Sequence, residues 1–197
     1  GEEITANQID GRLCIKYPWP SIARTIWGNH QRYKETYFSA YEDKYFTGDG
    51  ALRDTVGYYR ITGRVDDVII VSGHNLGTAP IEDAINEHPA VAESAVVGFP
   101  HDIKGNALYG YVILKETGEG RLHDNLRKEI NQMITEHIGS IAKLNKIQFT
   151  TGLPKTRSGK IMRRILRKIA CNETDNLGDT STLLNPEVVQ EIIDNAL

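Results

Sequence analysis

Apolar and polar positions change their spacing near residue 65, and this change divides the chain into two regions. In the first region, residues 11–16 and 58–62 are short runs with the composition of β-strands. A short helix is expected over residues 23–33, and residues 47–50, Thr-Gly-Asp-Gly, have the composition of a turn. Short strands separated by turns indicate that residues 1–65 are the end of a β-rich domain and not a whole one.

In the second region the pattern alternates between strands and helices. Strand composition recurs at residues 68–73, 95–100, 108–114 and 147–150. Helical spacing of apolar residues covers 78–87 and 122–137. Residues 66–197 are therefore predicted to form a small α+β domain, a few-stranded sheet covered by helices, with a polar tail from about residue 171.

Basic residues are concentrated in residues 154–170, which contain seven cationic side chains and no anionic one. Over residues 161–169 the cations and the apolar residues fall on opposite sides of a predicted amphipathic helix. Ser158 and Gly159 place Lys160 at a turn ahead of this helix, where its long side chain can reach a neighbouring active site. The alternatives are a solvated basic face and a nucleic-acid patch.

The overall charge limits these alternatives. Lys and Arg number 23 against 26 Asp and Glu, so the net charge is −3 and the chain outside the basic segment is acidic. General affinity for nucleic acid is therefore disfavoured. No apolar run approaches the roughly 18 residues of a membrane span, no leader pattern opens the sequence, and the two cysteines are too few for a disulfide framework. We expect a cytoplasmic protein with neither nucleic-acid nor membrane partners.

Two polar segments, residues 47–50 and 63–67, are candidates for a binding or catalytic role. Asp49 lies between two glycines, where its carboxylate could accept hydrogen bonds from the vicinal hydroxyls of a ribose. Arg64 could contact a phosphate or ribose, and Asp66 could be a hinge residue at the domain boundary. The alternatives are an ordinary turn aspartate and a linker that contains a salt bridge.

A third candidate is the segment from Ser72 to Gly77, Ser-Gly-His-Asn-Leu-Gly. It is predicted to be a glycine-spaced loop between a strand and a helix, where the backbone can approach a ligand closely.

Taken in order, these segments resemble the adenylate-forming acyl-CoA synthetase superfamily, and above all its acetyl-CoA synthetase branch. The motifs are Tyr45-Phe-Thr-Gly-Asp, Gly63-Arg-Val-Asp-Asp-Val, Val71-Ser-Gly-His, Pro154-Lys-Thr-Arg-Ser-Gly-Lys and the tail Asn176-Leu-Gly-Asp-Thr-Ser-Thr-Leu. The resemblance implies that the chain is the C-terminal portion of a longer enzyme and is inactive alone. The phosphate loop, adenine pocket and carboxylate pocket of the family's large N-terminal domain are not among these residues.

The resemblance also implies a reaction in two steps, with ATP and CoA as cosubstrates. Acetate and ATP would give acetyl-AMP and pyrophosphate, and the acetyl group would then pass to the thiol of CoA. Lys160 would be the catalytic residue of the first step. By the same resemblance, Lys160 would be the site of a regulatory acetylation, which implies a lysine acetyltransferase and a deacetylase as partners.

Other residues receive roles from the same resemblance. Asp49, Arg64 and Asn75 would bind ATP, although close relatives have an arginine where this chain has Asn75. Ser72 and Gly73 would bind CoA.

Asp66 would be the hinge about which the small domain turns between the two steps. Asn86, His88 and Val91 occupy the places of a magnesium site in bacterial relatives, where the ligands would be mainly backbone carbonyl oxygens.

Two alternative functions remain open at this point. The first is a propionyl-CoA synthetase or another short-chain acyl-CoA synthetase, because the acyl pocket would lie outside these residues. A noncatalytic module that retains the fold is the other alternative, and the presence of Lys160, Asp49 and Asp66 argues against it.

Overall fold

The computed structural model describes residues 2–116 and 122–197. The chain folds into two compact units, one ending at Val68 and the other running from Ile69 to Leu197. This division lies three residues after the boundary expected from the sequence. In the described part of the chain, every helix is too short or too polar to cross a membrane.

The first unit is built on an antiparallel sheet in the order β1-β2-β3. Its elements are β1 Asp10–Ile15, helix α1 His30–Tyr37, β2 Tyr45–Arg53 and β3 Tyr59–Arg64. Aromatic side chains pack α1 on β2, because Tyr37 stacks on Tyr45 with ring centroids 4.9 Å apart and Tyr33 is buried.

The helix predicted over residues 23–33 is wrong in position, since α1 begins at His30. The side chain of Asn29 accepts a hydrogen bond from the Arg32 N–H at 3.0 Å and so caps the helix at this point. The local cap, not the spacing of apolar residues, decides where this short helix starts.

The turn predicted over residues 47–50 is also wrong, because these residues belong to β2. Asp49 lies opposite Arg64 of β3, and the pairing register shifts between Gly50 and Ala51. Such an irregularity lets a glycine-containing segment remain in a strand while the strand bends.

The second unit is a five-stranded sheet with helices on both faces. The strands follow the order β5-β4-β7-β6, and β8 pairs with β7 in parallel. The strands are β4 Ile69–Val71, β5 His74–Leu76, β6 Val91–His101, β7 Gly105–Leu114 and β8 Lys146–Phe149, and the helices are α2 Thr78–Asn86, α3 His123–His137, α4 Arg163–Ala170 and α5 Glu187–Asp194.

Alternate side chains of β7 enter two separate hydrophobic cores. Leu108 and Val112 belong to the core covered by α2 and α3, whereas Tyr109 and Tyr111 belong to the core covered by α4 and α5. The Tyr111 hydroxyl donates to the Leu166 carbonyl at 3.0 Å, and burial raises the pKa of this phenol. The predicted α+β class, a few-stranded sheet covered by helices, is confirmed.

The basic helix begins at Arg163 and not at Ile161 as predicted. Ile161 pairs with Lys155 in an antiparallel bridge, and the Met162 N–H donates to the Pro154 carbonyl at 2.8 Å. These backbone bonds hold residues 161 and 162 in an extended connection ahead of the helix.

Glu82 joins α2, β6 and α4 in one network of hydrogen bonds. Its carboxylate accepts from the Val96 N–H at 2.8 Å and from Nε and Nη2 of Arg163 at 3.2 and 2.6 Å. Only 8% of Glu82 is exposed, so water screens these charges weakly. Removing the carboxylate would leave a strand N–H and a guanidinium without this compensation.

We therefore expect Glu82→Ala to lower the free energy of unfolding by about 2–4 kcal/mol. Glu87→Ala is the matched control at the end of the same helix, where Glu87 faces His137 across an exposed 3.4 Å contact. That surface change should cost less than about 0.5 kcal/mol. Urea denaturation followed by circular dichroism measures both values, and equal losses would contradict the importance of the network.

Candidate functional site

Asp49, Arg64 and Asp66 form one charged cluster in the first unit. Arg64 Nε donates to Asp66 Oδ1 at 2.9 Å, and its Nη1 lies 3.8 Å from Asp49 Oδ1. Nη1 also donates to the Thr47 carbonyl at 3.4 Å. Gly48 leaves space for this guanidinium, because a Cβ atom there would lie 2.9 Å from both terminal nitrogens of Arg64 and the residue has φ +82°.

The pKa values of this cluster follow from its contacts. The hydrogen bond to Asp66 raises the pKa of Arg64 above its ordinary value. Burial alone would raise the pKa of Asp66, but hydrogen bonds from Arg64 and from the backbone, together with the charge of Arg64, outweigh burial and lower that pKa. Both groups are therefore ionised at neutral pH, and Asp49 lies beside them with carboxylate oxygens that can accept hydrogen bonds from hydroxyl groups.

Asp66 lies in a single 3₁₀ turn, Val65–Asp67, between β3 and the end of the first unit. Its side chain is 71% exposed, so its ion pair with Arg64 is a surface interaction. The chain thus passes from the first unit toward the second through a short helical turn and not through a continuous strand.

Ser72 and Gly73 form the two-residue turn of the β4–β5 hairpin. Their φ angles are +49° and +83°, the left-handed values that a type I′ hairpin turn requires. The loop predicted over residues 72–77 is thus wrong in form, because residues 74–76 are strand β5. The Ser72 N–H donates to the Lys104 carbonyl at 2.9 Å, and Asn75 is exposed on β5.

Lys160 lies on a second hairpin, residues 155–161, which we call the lysine hairpin. Backbone bonds between Thr156 and Lys160 (2.9 Å) and between Gly159 and Thr156 (2.8 Å) close its turn. Thr156 Oγ1 also accepts the backbone N–H of Lys160 at 3.2 Å. Lys160 is exposed, and within residues 2–116 and 122–197 its ammonium has no ion-pair partner.

Several neighbouring cations contact the protein itself. Arg163 binds Glu82, as described above, and Arg164 Nη1 donates to the Leu177 carbonyl at 2.6 Å. Lys168 Nζ donates to the carbonyl of Asn176. These contacts account for part of the basic segment as bonds between α4 and other parts of the second unit.

The three candidate metal residues lie at the end of α2 and the start of β6. The Asn86 Oδ1 atom accepts from the Ser94 hydroxyl at 2.9 Å. His88 Nε2 lies 3.0 Å from Glu129 Oε2, and its Nδ1 accepts from the Ala90 N–H at 3.2 Å.

The side-chain atoms of Asn86 and His88 therefore already have hydrogen-bond partners, and the side chain of Val91 has no atom that can bind a metal. A cation here would depend on backbone carbonyl oxygens. In the described chain, three or more His, Cys, Asp or Glu side chains nowhere converge as a metal site would require.

The structure thus brings Asp49, Arg64 and Asp66 together and holds Ser72, Gly73 and Asn75 on one hairpin. The first group can bind hydroxyls and phosphate oxygens, and Lys160 offers an exposed positive charge. The sequence did not reveal Thr156 and Glu82, which support these elements through hydrogen bonds.

Thr156 organises the lysine hairpin through its hydroxyl, and nothing in its local sequence indicates this. Glu82 could have been found, because it is a charged residue next to Ile81 on the buried side of a predicted helix.

Comparison with known proteins extends these observations. Residues 80–160 match the family of AMP-binding enzyme C-terminal domains. The chain is 63% identical over 185 residues to the acetyl-coenzyme A synthetase of Syntrophobacter fumaroxidans, covering 94% of this chain and 28% of that protein. It is 59% identical over 194 residues to the acetyl-coenzyme A synthetase of Saccharophagus degradans, covering 98% and 30%. The chain thus spans about three tenths of these relatives.

Solved structures show the same fold. The acetoacetyl-CoA synthetase from Streptomyces lividans superimposes with a TM-score of 0.79 at 22% identity, over 96% of this chain and 28% of that one. The anthranilate CoA ligase AuaEII in complex with anthranoyl-AMP gives a TM-score of 0.74 at 29% identity, over 87% and 32%. Residues 80–160 are therefore similar to the C-terminal domains of AMP-binding enzymes, and along most of its length the chain is similar to the C-terminal part of acetyl-coenzyme A synthetases.

Proposed function

We propose that this chain is the C-terminal part of an AMP-forming acetate–CoA ligase. The enzyme makes acetyl-AMP from acetate and ATP and then transfers the acetyl group to CoA. The observation that carries the proposal is Lys160, which stands exposed on a closed hairpin at the end of the segment that matches AMP-binding enzymes. The identity of 58–63% to acetyl-coenzyme A synthetases supports acetate as the acid.

Lys160 acts in the first half-reaction. Negative charge is shared between the attacking carboxylate and the α-phosphate in the transition state, and a fixed ammonium stabilises that charge electrostatically. The ammonium has no ion pair to break within residues 2–116 and 122–197, so its charge is available to the substrate.

The charged cluster of the first unit binds the nucleotide. Asp49 accepts hydrogen bonds from the ribose hydroxyls, and Arg64, held in place by Asp66, assists with the nucleotide. Asn75 contributes an amide donor where relatives have an arginine. Its neutral side chain gives a weaker contact to phosphate than a guanidinium does.

The β4–β5 hairpin acts in the second half-reaction. Gly73 has no side chain and Ser72 a small one, so the turn leaves room for the pantetheine arm of CoA to bring its thiol to the acyl group. Asp66 is the hinge that lets the second unit present Lys160 in one step and the Ser72 turn in the other. ATP and CoA are the cosubstrates, and the enzyme acts in the cytoplasm. Magnesium accompanies ATP, and a magnesium ion at Asn86, His88 and Val91 would take mainly backbone carbonyl oxygens as ligands.

We expect Lys160→Ala in the full-length enzyme to lower adenylation by about 100-fold or more while thioester formation from supplied acetyl-AMP persists. The charge is needed only while acetate attacks the α-phosphate. Acetate-dependent exchange of pyrophosphate into ATP reports the first step, and acetyl-CoA formation from acetyl-AMP reports the second. Lys128→Ala, which removes an exposed lysine from α3, is the control. Equal losses in both steps for Lys160→Ala would refute the proposal that Lys160 acts in adenylation and not in thioester formation.

Acetylation of Lys160 should switch off the first step, because it removes the ammonium charge. A lysine acetyltransferase and a deacetylase would set the modified fraction. Stoichiometric acetylation, checked by mass spectrometry, is expected to abolish pyrophosphate exchange, and enzymatic deacetylation is expected to restore it. Full exchange activity in the modified sample would rule out this regulation.

Asp66→Pro tests the hinge, because proline fixes φ near −65° and prevents the rotation of this residue. One half-reaction should then fall by about tenfold more than the other. Asp66→Ala should be mild, since it leaves φ free to change and the ion pair that holds Arg64 is exposed and worth less than about 1 kcal/mol. Circular dichroism confirms that both variants are folded, and a folded proline variant with both steps intact would disprove the hinge.

A further inference from the structure

C-terminal residues contact the base of the lysine hairpin and the segment that precedes it. Residues 183–191, which we call the C-terminal strap, run beside residues 150–156. The strap includes the start of α5, whose Val188, Val189 and Ile192 are buried in the core below β7. The α5 end of the strap is thus fixed in the hydrophobic core.

Asn185 binds two backbone groups of the lysine hairpin's base. Its Oδ1 atom accepts the Lys155 N–H at 3.1 Å, and its Nδ2 atom donates to the Leu153 carbonyl at 2.9 Å. The Leu184 N–H donates to the Lys155 carbonyl at 2.8 Å, and Leu183 forms an antiparallel bridge with Thr156. The strap therefore pairs with the base of the lysine hairpin through one antiparallel bridge and these hydrogen bonds.

Glu191 extends this contact toward β8. Its Oε1 atom accepts the Thr151 N–H at 3.1 Å and the Thr150 hydroxyl at 3.3 Å. The Thr151 hydroxyl donates to Oε2 of the same carboxylate. On the other side of the hairpin base, Lys155 Nζ binds Glu93 Oε2 of β6 at 2.7 Å.

This pairing with the strap matters because a two-stranded hairpin is at best marginally stable in water. The lysine hairpin has one bridge at its base and a few bonds in its turn, so without the strap its backbone would sample several conformations. A catalytic charge acts efficiently only when its position is fixed before the reaction, and a displacement of about 1 Å can cost a factor of about 100 in rate.

We propose that Asn185 is a positioning residue for Lys160, and that the C-terminal strap fixes the lysine hairpin for the adenylation step. This inference rests on the proposed function of Lys160. It assigns the C-terminal tail a role in one half-reaction and not only in the stability of the domain.

The test compares Asn185→Ala with Asn195→Ala in the full-length enzyme. Asn195 is a matched control because it belongs to the same tail. Within the described residues its side-chain amide donates to the Glu191 carbonyl at 2.8 Å and makes no bond to the lysine hairpin. Asn185→Ala is expected to lower pyrophosphate exchange by about tenfold. It should leave acetyl-CoA formation from supplied acetyl-AMP within about twofold, and Asn195→Ala should change neither.

A second measurement does not depend on activity. Limited trypsin digestion of the full-length enzyme, read by mass spectrometry, should show faster cleavage after Arg157 and Lys160 in Asn185→Ala than in Asn195→Ala, because cleavage requires an opened backbone. Unchanged cleavage together with unchanged exchange would overturn the proposal. Equal losses in both half-reactions would reduce Asn185 to a structural role and also overturn it.

Failure of the proposed function is distinguishable from failure of this inference. If Lys160→Ala retains exchange, the role of Lys160 is wrong and the inference falls with it. If Lys160→Ala loses exchange but Asn185→Ala does not, only the role of the strap is wrong. In the double variant, Asn185→Ala should add no further loss of exchange to that of Lys160→Ala, because both changes act on the same charge.

Discussion

The sheet of the second unit has two faces that must both be covered, and this constraint determines the path of the chain around it. β7 is buried on both sides, with leucine and valine on one face and two tyrosines on the other. The chain first covers one face with α2 and α3, and β8 then joins β7 in parallel. Burial of the tyrosine face requires α4 and α5, so the C-terminal residues return beside the lysine hairpin as a consequence of covering the core.

Several charged residues of this unit also connect its helices to the rest of the unit. Glu82 connects α2, β6 and α4, and Arg164 and Lys168 donate to carbonyls that follow α4. A helix this basic would otherwise present a strongly positive surface. Because several of its cations bond within the unit, the exposed ammonium of Lys160 differs from them by its position on a turn and not by the local density of charge.

The sequence predicted the long elements of the second unit well, because α3 and the β6–β7 pair are set by repeated apolar positions that tertiary contacts reinforce. It failed where a single helix cap or the pairing of neighbouring strands decides the outcome. The start of α1 depends on the Asn29 cap, and residues 47–50 stay in a strand because β1 and β3 pair with β2 on both sides. The turn at Ser72 appeared as a loop because a three-residue strand such as β5 has almost no periodic signal.

Candidate residues could likewise be found where a local motif marks them and not where a contact distant in the sequence defines them. Lys160 could be found from Ser-Gly-Lys and its basic surroundings, and Asp49, Arg64 and Asp66 from motifs that the family shares. Whether these residues have the proposed roles depends on the experiments and not on the pattern. Asn185 could not be found, because its amide acts on backbone groups some 30 residues away and polar tails are usually solvated. Such contacts have no local signature.

The lysine hairpin and all of its supports belong to the second unit. The Lys155–Glu93 pair, the strap and the bonds of Thr156 lie entirely within residues 69–197. A rotation of this unit about Asp66 would therefore carry Lys160 as part of a preformed hairpin, without breaking the contacts that order it. Preorganisation and motion are then compatible, because the proposed hinge lies in the connection after β3 and the lysine hairpin with its supports lies within the second unit.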